Sequence, residues 1–315
     1  MKYIFIFFIK KISNTWIGNY ILFFMSKENN LNLHITNGTG FQQKIATILK
    51  LIIWKISRFN KSKKRIMREL HLRDIHNYKM ILDVNEFTQC GYFLGFYDSK
   101  LIKLIRLGGD IFVDVGANVG FYSLNAANYY ANVLSFEPVS ETYSNLNENV
   151  SLNSFNNIDL FKVGLSDSKA IAEIHLNPLN SGGASLKKFS ENVQNQFQDY
   201  KWEKETIELT TIDEVMKKIS PNKKILMKID VEGHELSVLK GGLKTINLFR
   251  PLIYAEIMRD EEKFKSIKKI LPSDYASVSL QEMTILNDSI SISNDVLFVP
   301  FEKLVDISLV FDIKI

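Results

Sequence analysis

The sequence changes from a strand pattern to a helix pattern at Asp114-Val115-Gly116-Ala117-Asn118-Val119-Gly120. The apolar run at residues 111–115 predicts a buried strand that ends in this turn, and a helical pattern begins at Phe121. Gly116 permits a tight turn, and Gly120 permits the following helix to approach the strand. A ligand can therefore lie against bare backbone here, as nucleotides do in doubly wound α/β folds.

The turn lacks the full dinucleotide fingerprint G-x-G-x-x-G, because Asn118 stands where the middle glycine belongs. Without that glycine the close approach of a pyrophosphate is hindered, which argues against NAD or FAD. Glu137 lies 23 residues after Asp114, and an acid at about this spacing accepts hydrogen bonds from ribose hydroxyls. The two turns together predict a pocket for adenosine without a diphosphate, in which Asp114 faces the amino-acid part of S-adenosylmethionine directly or through water.

Apolar runs alternate with helical stretches after residue 80, which predicts βαβ units on a parallel sheet. We expect a doubly wound α/β domain with a mostly parallel, seven-stranded sheet and helices on both faces, preceded by a basic, apolar, helical N-terminal segment. The expected strands are residues 111–115, 133–137, 158–163, 225–230 and 252–257, with a final pair, 275–279 and 296–299, joined as a hairpin. Ligands bind at the carboxyl ends of such strands, where the polar turns lie.

The fourth expected strand ends in Lys228-Ile229-Asp230-Val231-Glu232-Gly233-His234-Glu235. A buried Lys228 beside two carboxylates is costly unless the charges are paired, so this pattern indicates either a structural ion-pair network or a catalytic cluster. Glu256 ends the next apolar run and is another acid at the same edge. Glu235 is explained by its place in the first turn of a helix, where the helix dipole favours a carboxylate.

The chain resembles the FkbM-type methyltransferases, a Rossmann-like branch of the class I methyltransferases that use S-adenosylmethionine. The similarity leaves residues 1–75 outside and spans about residues 78–300. It rests on the turn at 114–120, Phe136-Glu137-Pro138, Leu209-Thr210-Thr211-Ile212-Asp213, the motif at 228–235 with Leu239-Lys240-Gly241, Arg250-Pro251 through Glu256, and Leu297-Phe298-Val299-Pro300.

The resemblance implies transfer of a methyl group from S-adenosylmethionine to an oxygen, typically a hydroxyl on a sugar or a complex secondary metabolite. Carried over to this chain, the cofactor-binding residues are Asp114, Gly116, Ala117, Asn118, Gly120, Glu137, Pro138 and Asp167. The candidates for the base that removes the acceptor proton are Asp230, Glu232 and His234, with Lys228 and Glu256 in support; we favour the first two. No metal ligand is assigned, although a divalent cation held by these carboxylates is an alternative, and the histidines show no zinc spacing.

Positive charge is concentrated at the start of the chain. Residues 1–80 hold 15 Lys or Arg and 3 Asp or Glu, whereas the rest of the chain is acidic overall. Apolar residues recur at steps of three and four from Phe41 to Phe59, which predicts a basic amphipathic helix, and a lysine and arginine cluster follows at 61–68. Two interpretations stay open: attachment to an anionic membrane surface, or packing on the catalytic domain or a second subunit. No nucleic-acid module accompanies the charge, so we expect no nucleic-acid partner.

The apolar runs at 3–9 and 17–25 are short compared with the roughly 20 residues that a spanning helix needs, and no small-residue cleavage site follows the first run. Cys90 is the single cysteine and cannot close an intramolecular disulfide, as is usual in a reducing compartment. We therefore expect a cytoplasmic protein, either free or peripheral on the inner face of the plasma membrane, with an N-terminal segment at 1–75 and a methyltransferase domain at 76–315.

The preferred functional hypothesis is O-methylation of a sugar in a cell-surface glycan or its precursor. The alternatives are O-methylation of a polyketide-like metabolite or a protein side chain, and a non-catalytic scaffold that retains the fold. The polar stretch at 177–205 is interpreted as part of the acceptor pocket, with Tyr200 and Trp202 as sugar-stacking residues. A surface helix at 186–204 is the other interpretation of this stretch.

Overall fold

A computed structural model describes residues 66–70, 78–83, 86–95, 97–178, 180–188, 202–258, 260–287 and 295–313. The chain divides into two units between Phe96 and Tyr97, and each is described by itself. The amphipathic helix predicted at 41–59, the basic residues at 61–65 and Tyr200 lie outside the described residues. No helix within the described ranges is long and apolar enough to cross a membrane.

The first unit contains a β-hairpin and a helix that the sequence patterns did not predict. Strands β1 (Ile66–Leu70) and β2 (Tyr78–Leu82) pair in antiparallel register. Helix α1 (Phe87–Leu94) begins where the Glu86 carboxylate accepts a hydrogen bond from the backbone N–H of Gln89 at 2.9 Å. It ends at Gly95, whose left-handed φ of 81° suits glycine.

The second unit is an α/β domain. Its described strands are β3 (Gly109–Val115), β4 (Tyr130–Phe136), β5 (Ile158–Phe161), β6 (Gly164–Leu165), β7 (Ala170–His175), β8 (Lys204–Thr210), β9 (Ile225–Ile229), β10 (Leu252–Glu256), β11 (Tyr275–Ser279), β12 (Thr284–Leu286) and β13 (Asp295–Pro300). Its described helices are α2 (Ser99–Ile105), α3 (Phe121–Ala126), α4 (Ser140–Ser151), α5 (Ile212–Met216), α6 (Glu235–Lys240), α7 (Leu243–Phe249), α8 (Glu261–Ile270) and α9 (Phe301–Phe311).

Eight of the described strands form the main sheet, in the order β12-β11-β13-β10-β9-β3-β4-β5. The strands from β10 to β5 pair in parallel, and the pairs that involve β11 and β13 are antiparallel. The predicted mostly parallel α/β sheet is therefore confirmed, and its central strands lie within a residue or a few of their predicted bounds. The predicted final pair, β11 and β13, is antiparallel and adjacent in the sheet. The count of seven strands was wrong, because the segment that joins this pair forms an additional short strand, β12, at the edge of the sheet beside β11.

The strand order reverses direction at β3. From β3 the chain runs outward to β4 and β5, and it later returns to β9 and β10 on the other side. Crossovers between parallel strands are right-handed, so the helices that follow β3 and β9 cover opposite faces of the sheet. The reversal opens a crevice at the carboxyl ends of β3 and β9, where ligands bind in folds of this kind.

The central strands are continuous apolar runs in the sequence because the core buries them on both faces. Every residue of β9 is buried, as a strand covered on both faces requires. Two helices cover this strand: Leu239, on α6, and Ile246, on α7, are buried in the same core, and Leu236 and Leu243 pack against it.

A second, three-stranded sheet follows the edge strand β5. The expected third strand ends at Phe161, and Gly164–Leu165 leaves the main sheet to pair with β8 in the order β6-β8-β7. Where residues 186–204 are described, they form no helix, and Lys204 begins β8. No sequence pattern predicted this sheet, because β6 has only two residues and most residues of β7 and β8 are exposed or half-buried, so they form no continuous apolar run.

Gly116 provides a stability test of the turn after β3. Its φ is +78°, and a Cβ here would lie 1.9 Å from the carbonyl oxygen of Asp230. Gly233 also has a left-handed φ, +96°, but its Cβ would come no closer than 3.6 Å to the flexible end of Lys187. We expect Gly116→Ala to lower the free energy of unfolding by roughly 3 kcal/mol or more and Gly233→Ala by roughly 1 to 2 kcal/mol.

Urea unfolding followed by circular dichroism measures both losses. Equal losses for the two variants would show that the backbone contact between Gly116 and Asp230 is absent.

Candidate active site

The site is built around a buried ion pair between neighbouring strand ends. Asp114 and Lys228 are register partners on β3 and β9, and the Lys228 Nζ lies 3.2 Å from the Asp114 Oδ1. The same Nζ donates a hydrogen bond to the carbonyl oxygen of Gly116 at 2.9 Å. Burial alone would lower the pKa of Lys228, but the carboxylates of Asp114 and Asp230 hold it above its ordinary value. The lysine therefore stays charged and ties the turn to both strands.

Asp114 lies beneath the turn and has no exposed surface. Its Oδ2 accepts a hydrogen bond from the Ser123 hydroxyl at 2.7 Å, and that hydroxyl is 2.8 Å from the Ser135 hydroxyl. We expected Asp114 to face a cofactor. That contact stays a prediction; in the structure the carboxylate contacts Lys228 and Ser123, and these contacts hold the turn in place.

Left-handed residues shape the turn itself. Gly116, Asn118 and Gly120 have φ values of +78°, +50° and +91°, and asparagine tolerates this region better than most side chains. A Cβ on Gly120 would lie 2.7 Å from the Leu146 Cδ1 of α4. The close approach that requires Gly120 is thus between α3 and α4, rather than between helix and strand as predicted.

Glu137 joins the second turn to the first. Its Oε2 accepts the backbone N–H of Asn118 at 3.1 Å, and its Oε1 accepts that of Val139 at 3.0 Å. The side chain is buried, and burial raises its pKa to about 7. Each oxygen has a second lone pair, so Glu137 can still accept hydrogen bonds from a diol. Ala117 is buried in the turn, and Pro138 follows Glu137.

The third turn, at residues 164–167 after β5, lies beside His234. The Ser166 hydroxyl is 2.9 Å from the His234 Nε2. Burial lowers the pKa of His234, so the ring is neutral at physiological pH. Asp167 is exposed next to Ser166. The charge of Asp167 acts against this effect and raises the pKa of His234, so the two side chains lie near each other, which the sequence spacing did not predict.

The fourth turn, at residues 230–235 after β9, and the end of β10 bring three carboxylates together at the carboxyl ends of these strands. One oxygen from each of Asp230, Glu232 and Glu256 lies within 4.8 Å of the others. Burial, reinforced by neighbouring carboxylates, raises the pKa of Glu232 to about 7 and that of Glu256 to about 9. Glu256 therefore keeps its proton at neutral pH. All three residues are half-buried, and we assign no metal to them.

Further acids that sequence reasoning missed lie next to this cluster. Burial, followed by the charges of Asp98 and Asp230, raises the pKa of Asp295 to about 7. The Tyr254 hydroxyl donates a hydrogen bond to Asp98, and the Asp98 Oδ1 also accepts the backbone N–H of Lys100 at 2.7 Å, where α2 begins. These residues come from separate parts of the chain and share no spacing, so no sequence pattern could have revealed them.

A polar segment at residues 180–188 reaches two of the turns. The Ser181 hydroxyl donates a hydrogen bond to the Asn118 Oδ1 at 3.1 Å, and the Ser185 hydroxyl donates one to the carbonyl oxygen of Glu232 at 3.1 Å. This part of the predicted acceptor stretch therefore contacts both the glycine turn and the acidic turn. Trp202, at the far end of the stretch, is half-buried.

Comparison with known proteins gives a family match over most of this site. A family model described as the methyltransferase FkbM domain matches residues 114–280, more than half of the 315 residues. The match begins at the aspartate of the glycine turn and includes all four turns.

Individual relatives are also methyltransferases by name. Methyltransferase sdnD of Sordaria araneosa is 32% identical over 152 residues, covering 41% of this chain and 59% of that protein. The hexuronic acid methyltransferase AglP of Haloferax volcanii is 31% identical over 165 residues, covering 51% of this chain and 63% of that protein. The chain thus spans about 60% of the length of these relatives. The crystal structure of methyltransferase FkbM from Methylobacillus flagellatus aligns with 17% identity and a TM-score of 0.37, covering 61% of this chain and 43% of that one.

The buried ion pair supplies a testable prediction. Lys228→Met leaves the Asp114 carboxylate buried without its charged partner, and we expect a loss of roughly 3 to 5 kcal/mol in the free energy of unfolding. The double variant Asp114→Asn/Lys228→Met removes both charges and should lose less than the sum of the single variants.

Chemical unfolding of the four proteins of this cycle measures the coupling. Lys217→Met, which breaks an exposed pair with Glu214, is the control and should leave stability nearly unchanged. Additive losses at Asp114 and Lys228 would contradict the ion pair.

Proposed function

Since the chain belongs to the FkbM methyltransferase family, we propose that it transfers a methyl group from S-adenosylmethionine to a hydroxyl oxygen of a sugar, in a surface glycan or its precursor. The observation that carries this proposal is the hydrogen bond that the backbone N–H of Asn118, in the glycine turn, donates to the Glu137 carboxylate. This hydrogen bond places an acid beside a left-handed backbone turn at the switch point of the sheet, which is the arrangement that suits an adenosine.

The residues of the first two turns fit this cofactor. The space beside Gly116 is filled by the Asp230 carbonyl, so the turn stays narrow, and Glu137 retains acceptor capacity for the two ribose hydroxyls. In the proposal Gly116, Ala117, Asn118 and Gly120 offer backbone, Pro138 fixes the chain after Glu137, and Asp167 lies toward the adenine. Asp114 and Lys228 support the turn from beneath. S-adenosylmethionine, when bound, supplies a methyl group that is already activated as a sulfonium.

The protein must then remove a proton from the acceptor hydroxyl. A general base is most effective when its pKa lies near the working pH, and Glu232, with a pKa of about 7, meets this condition. We propose that the Glu232 carboxylate accepts the proton of the acceptor hydroxyl. Asp230 lies beside it. Glu256 keeps a proton at neutral pH, so it acts in support. His234 contacts Ser166 in the third turn, which makes it the weaker candidate.

A sugar acceptor is supported by one relative and by the polar segment at 180–188, which contacts two turns of the site. The Haloferax volcanii relative is named for a hexuronic acid, and the segment at 180–188 presents serine hydroxyls to two turns. The basic residues before position 80 favour an acceptor presented at an anionic membrane surface. O-methylation of a polyketide-like metabolite or a protein side chain, and a scaffold without activity, are the alternatives.

The cofactor assignment is tested by Glu137→Ala. We expect this variant to raise the KM for S-adenosylmethionine roughly tenfold or more, because it removes the acceptor for the ribose hydroxyls. Transfer of radiolabelled methyl groups to a panel of glycosides and lipid-linked glycans measures the effect. Glu141→Ala, at an exposed acid in the first turn of α4, is the matched control and should behave as the parent. An unchanged KM in Glu137→Ala would contradict the assignment, and a parent without transfer to any acceptor would favour the scaffold.

The base assignment predicts a pH dependence. Glu232 can accept a proton only as a carboxylate, so kcat should rise with pH through about 7 and level off above it. Glu232→Gln should lower kcat by roughly 10² to 10⁴ and flatten this rise. The pH profile of kcat, recorded for the parent protein and for Glu232→Gln, measures both effects. A rise that persists unchanged in Glu232→Gln would show that another group is the base.

A further inference from the structure

Glu235, at the start of α6, is fully buried and carries a full set of polar contacts. Its Oε1 accepts the backbone N–H groups of Val231 and Gly233, at 3.3 and 2.9 Å. Its Oε2 lies 2.8 Å from the Nζ of Lys263, on α8. The carboxylate therefore binds the turn that precedes its own helix and an adjacent helix at the same time.

The turn held in this way is the one that carries Glu232. Glu232 and Gly233 have left-handed φ values of +51° and +96°, a conformation that costs free energy for a non-glycine residue and needs support from its surroundings. Glu235 supplies that support from inside the protein, and Ser185 supplies it from the other side through the Glu232 carbonyl.

The helix dipole alone does not account for these contacts. A carboxylate that only stabilises the helix start can do so at the surface, without a desolvation cost, whereas this one is buried with Lys263. Burying an ion pair costs desolvation that an apolar pair of similar volume avoids. Glu235 also accepts hydrogen bonds from the turn that precedes α6, so its carboxylate stabilises that turn.

We propose that Glu235 and Lys263 are positioning residues, which together hold the turn at 231–234 so that Glu232 reaches the acceptor hydroxyl. This inference rests on the function proposed above for Glu232. Neither residue touches the reacting atoms, and both act through the geometry and the charge environment of Glu232.

The charges around Glu232 make the two partners distinguishable. The carboxylates of Asp230, Glu235 and Glu256 face it, as do the cations Lys263 and Lys228. Glu235 raises the pKa of Glu232 and Lys263 lowers it. Removing one charge or the other should therefore move the titration of Glu232 in opposite directions, whereas simple loosening of the fold would move both variants the same way.

The first experiment follows the Glu232 side chain in the full-length protein by carbon-detected NMR of ¹³Cδ-labelled glutamate, with the signal assigned by its loss in Glu232→Gln. We expect Glu235→Gln to lower the titration midpoint and Lys263→Met to raise it, each by roughly half a pH unit or more. Lys265→Met, on the same helix but paired with Glu261 at the surface, should leave it unchanged. If Lys263→Met does not fold, Lys263→Gln removes the charge and keeps a hydrogen-bond donor.

The second experiment separates the effect of the length of the Glu235 side chain from the effect of its charge. Glu235→Asp keeps the charge but withdraws the carboxylate by one methylene, so the Gly233 amide should exchange with solvent roughly tenfold faster or more. The same variant should lower kcat roughly 10- to 100-fold with little change in the KM for S-adenosylmethionine. Glu235→Gln keeps the acceptor and should retain slow exchange at Gly233.

Midpoints that move in the same direction, or stay in place, would overturn the proposal, as would an unchanged kcat in Glu235→Asp. If the parent transfers no methyl group at all, the proposed function fails, while the NMR midpoints and the Gly233 exchange rate still decide whether the pair positions the turn.

Discussion

The ion pair between Asp114 and Lys228 is the contact on which the rest of the site depends. It joins the ends of β3 and β9 at the point where the sheet reverses its strand order. Because Lys228 also binds the Gly116 carbonyl and lies 3.5 Å from the Asp230 carboxylate, one buried cation connects the glycine turn with the acidic turn. A change in this pair would therefore alter both halves of the site together.

The two halves have different electrostatics, which matches the different roles proposed for them. Glu137 is held by backbone N–H groups and presents its remaining lone pairs to a neutral diol. Asp230, Glu232 and Glu256 instead face one another, and burial with mutual repulsion raises the pKa of Glu232 and Glu256 toward neutrality or above it. Because burial also raises the pKa of Glu137 to about 7, the difference between the two halves lies in their partners: backbone N–H groups fix Glu137 for binding, whereas crowded acids suit proton transfer.

Local patterns predicted the parts of this protein that depend on neighbours in sequence. Apolar runs located the central strands, and the turns at Gly116 and Glu137 were found from glycine positions and spacing. Patterns failed where distant segments meet: Glu235 was explained by its own helix alone, and no spacing indicated that Asp98 and Asp295 lie near the acidic cluster. The Lys263 that pairs with Glu235 lies 28 residues away on another helix, so no local signal could connect them.

We propose that the glycine turn and Glu137 form a pocket for the adenosine of S-adenosylmethionine and not for a dinucleotide. Calorimetric titration of the purified protein with S-adenosylmethionine and, separately, with NAD distinguishes the two ligands. We expect saturable binding of S-adenosylmethionine and none of NAD. Binding of NAD alone would contradict the interpretation of the glycine turn, and binding of neither, with acceptor present, would contradict the cofactor assignment itself.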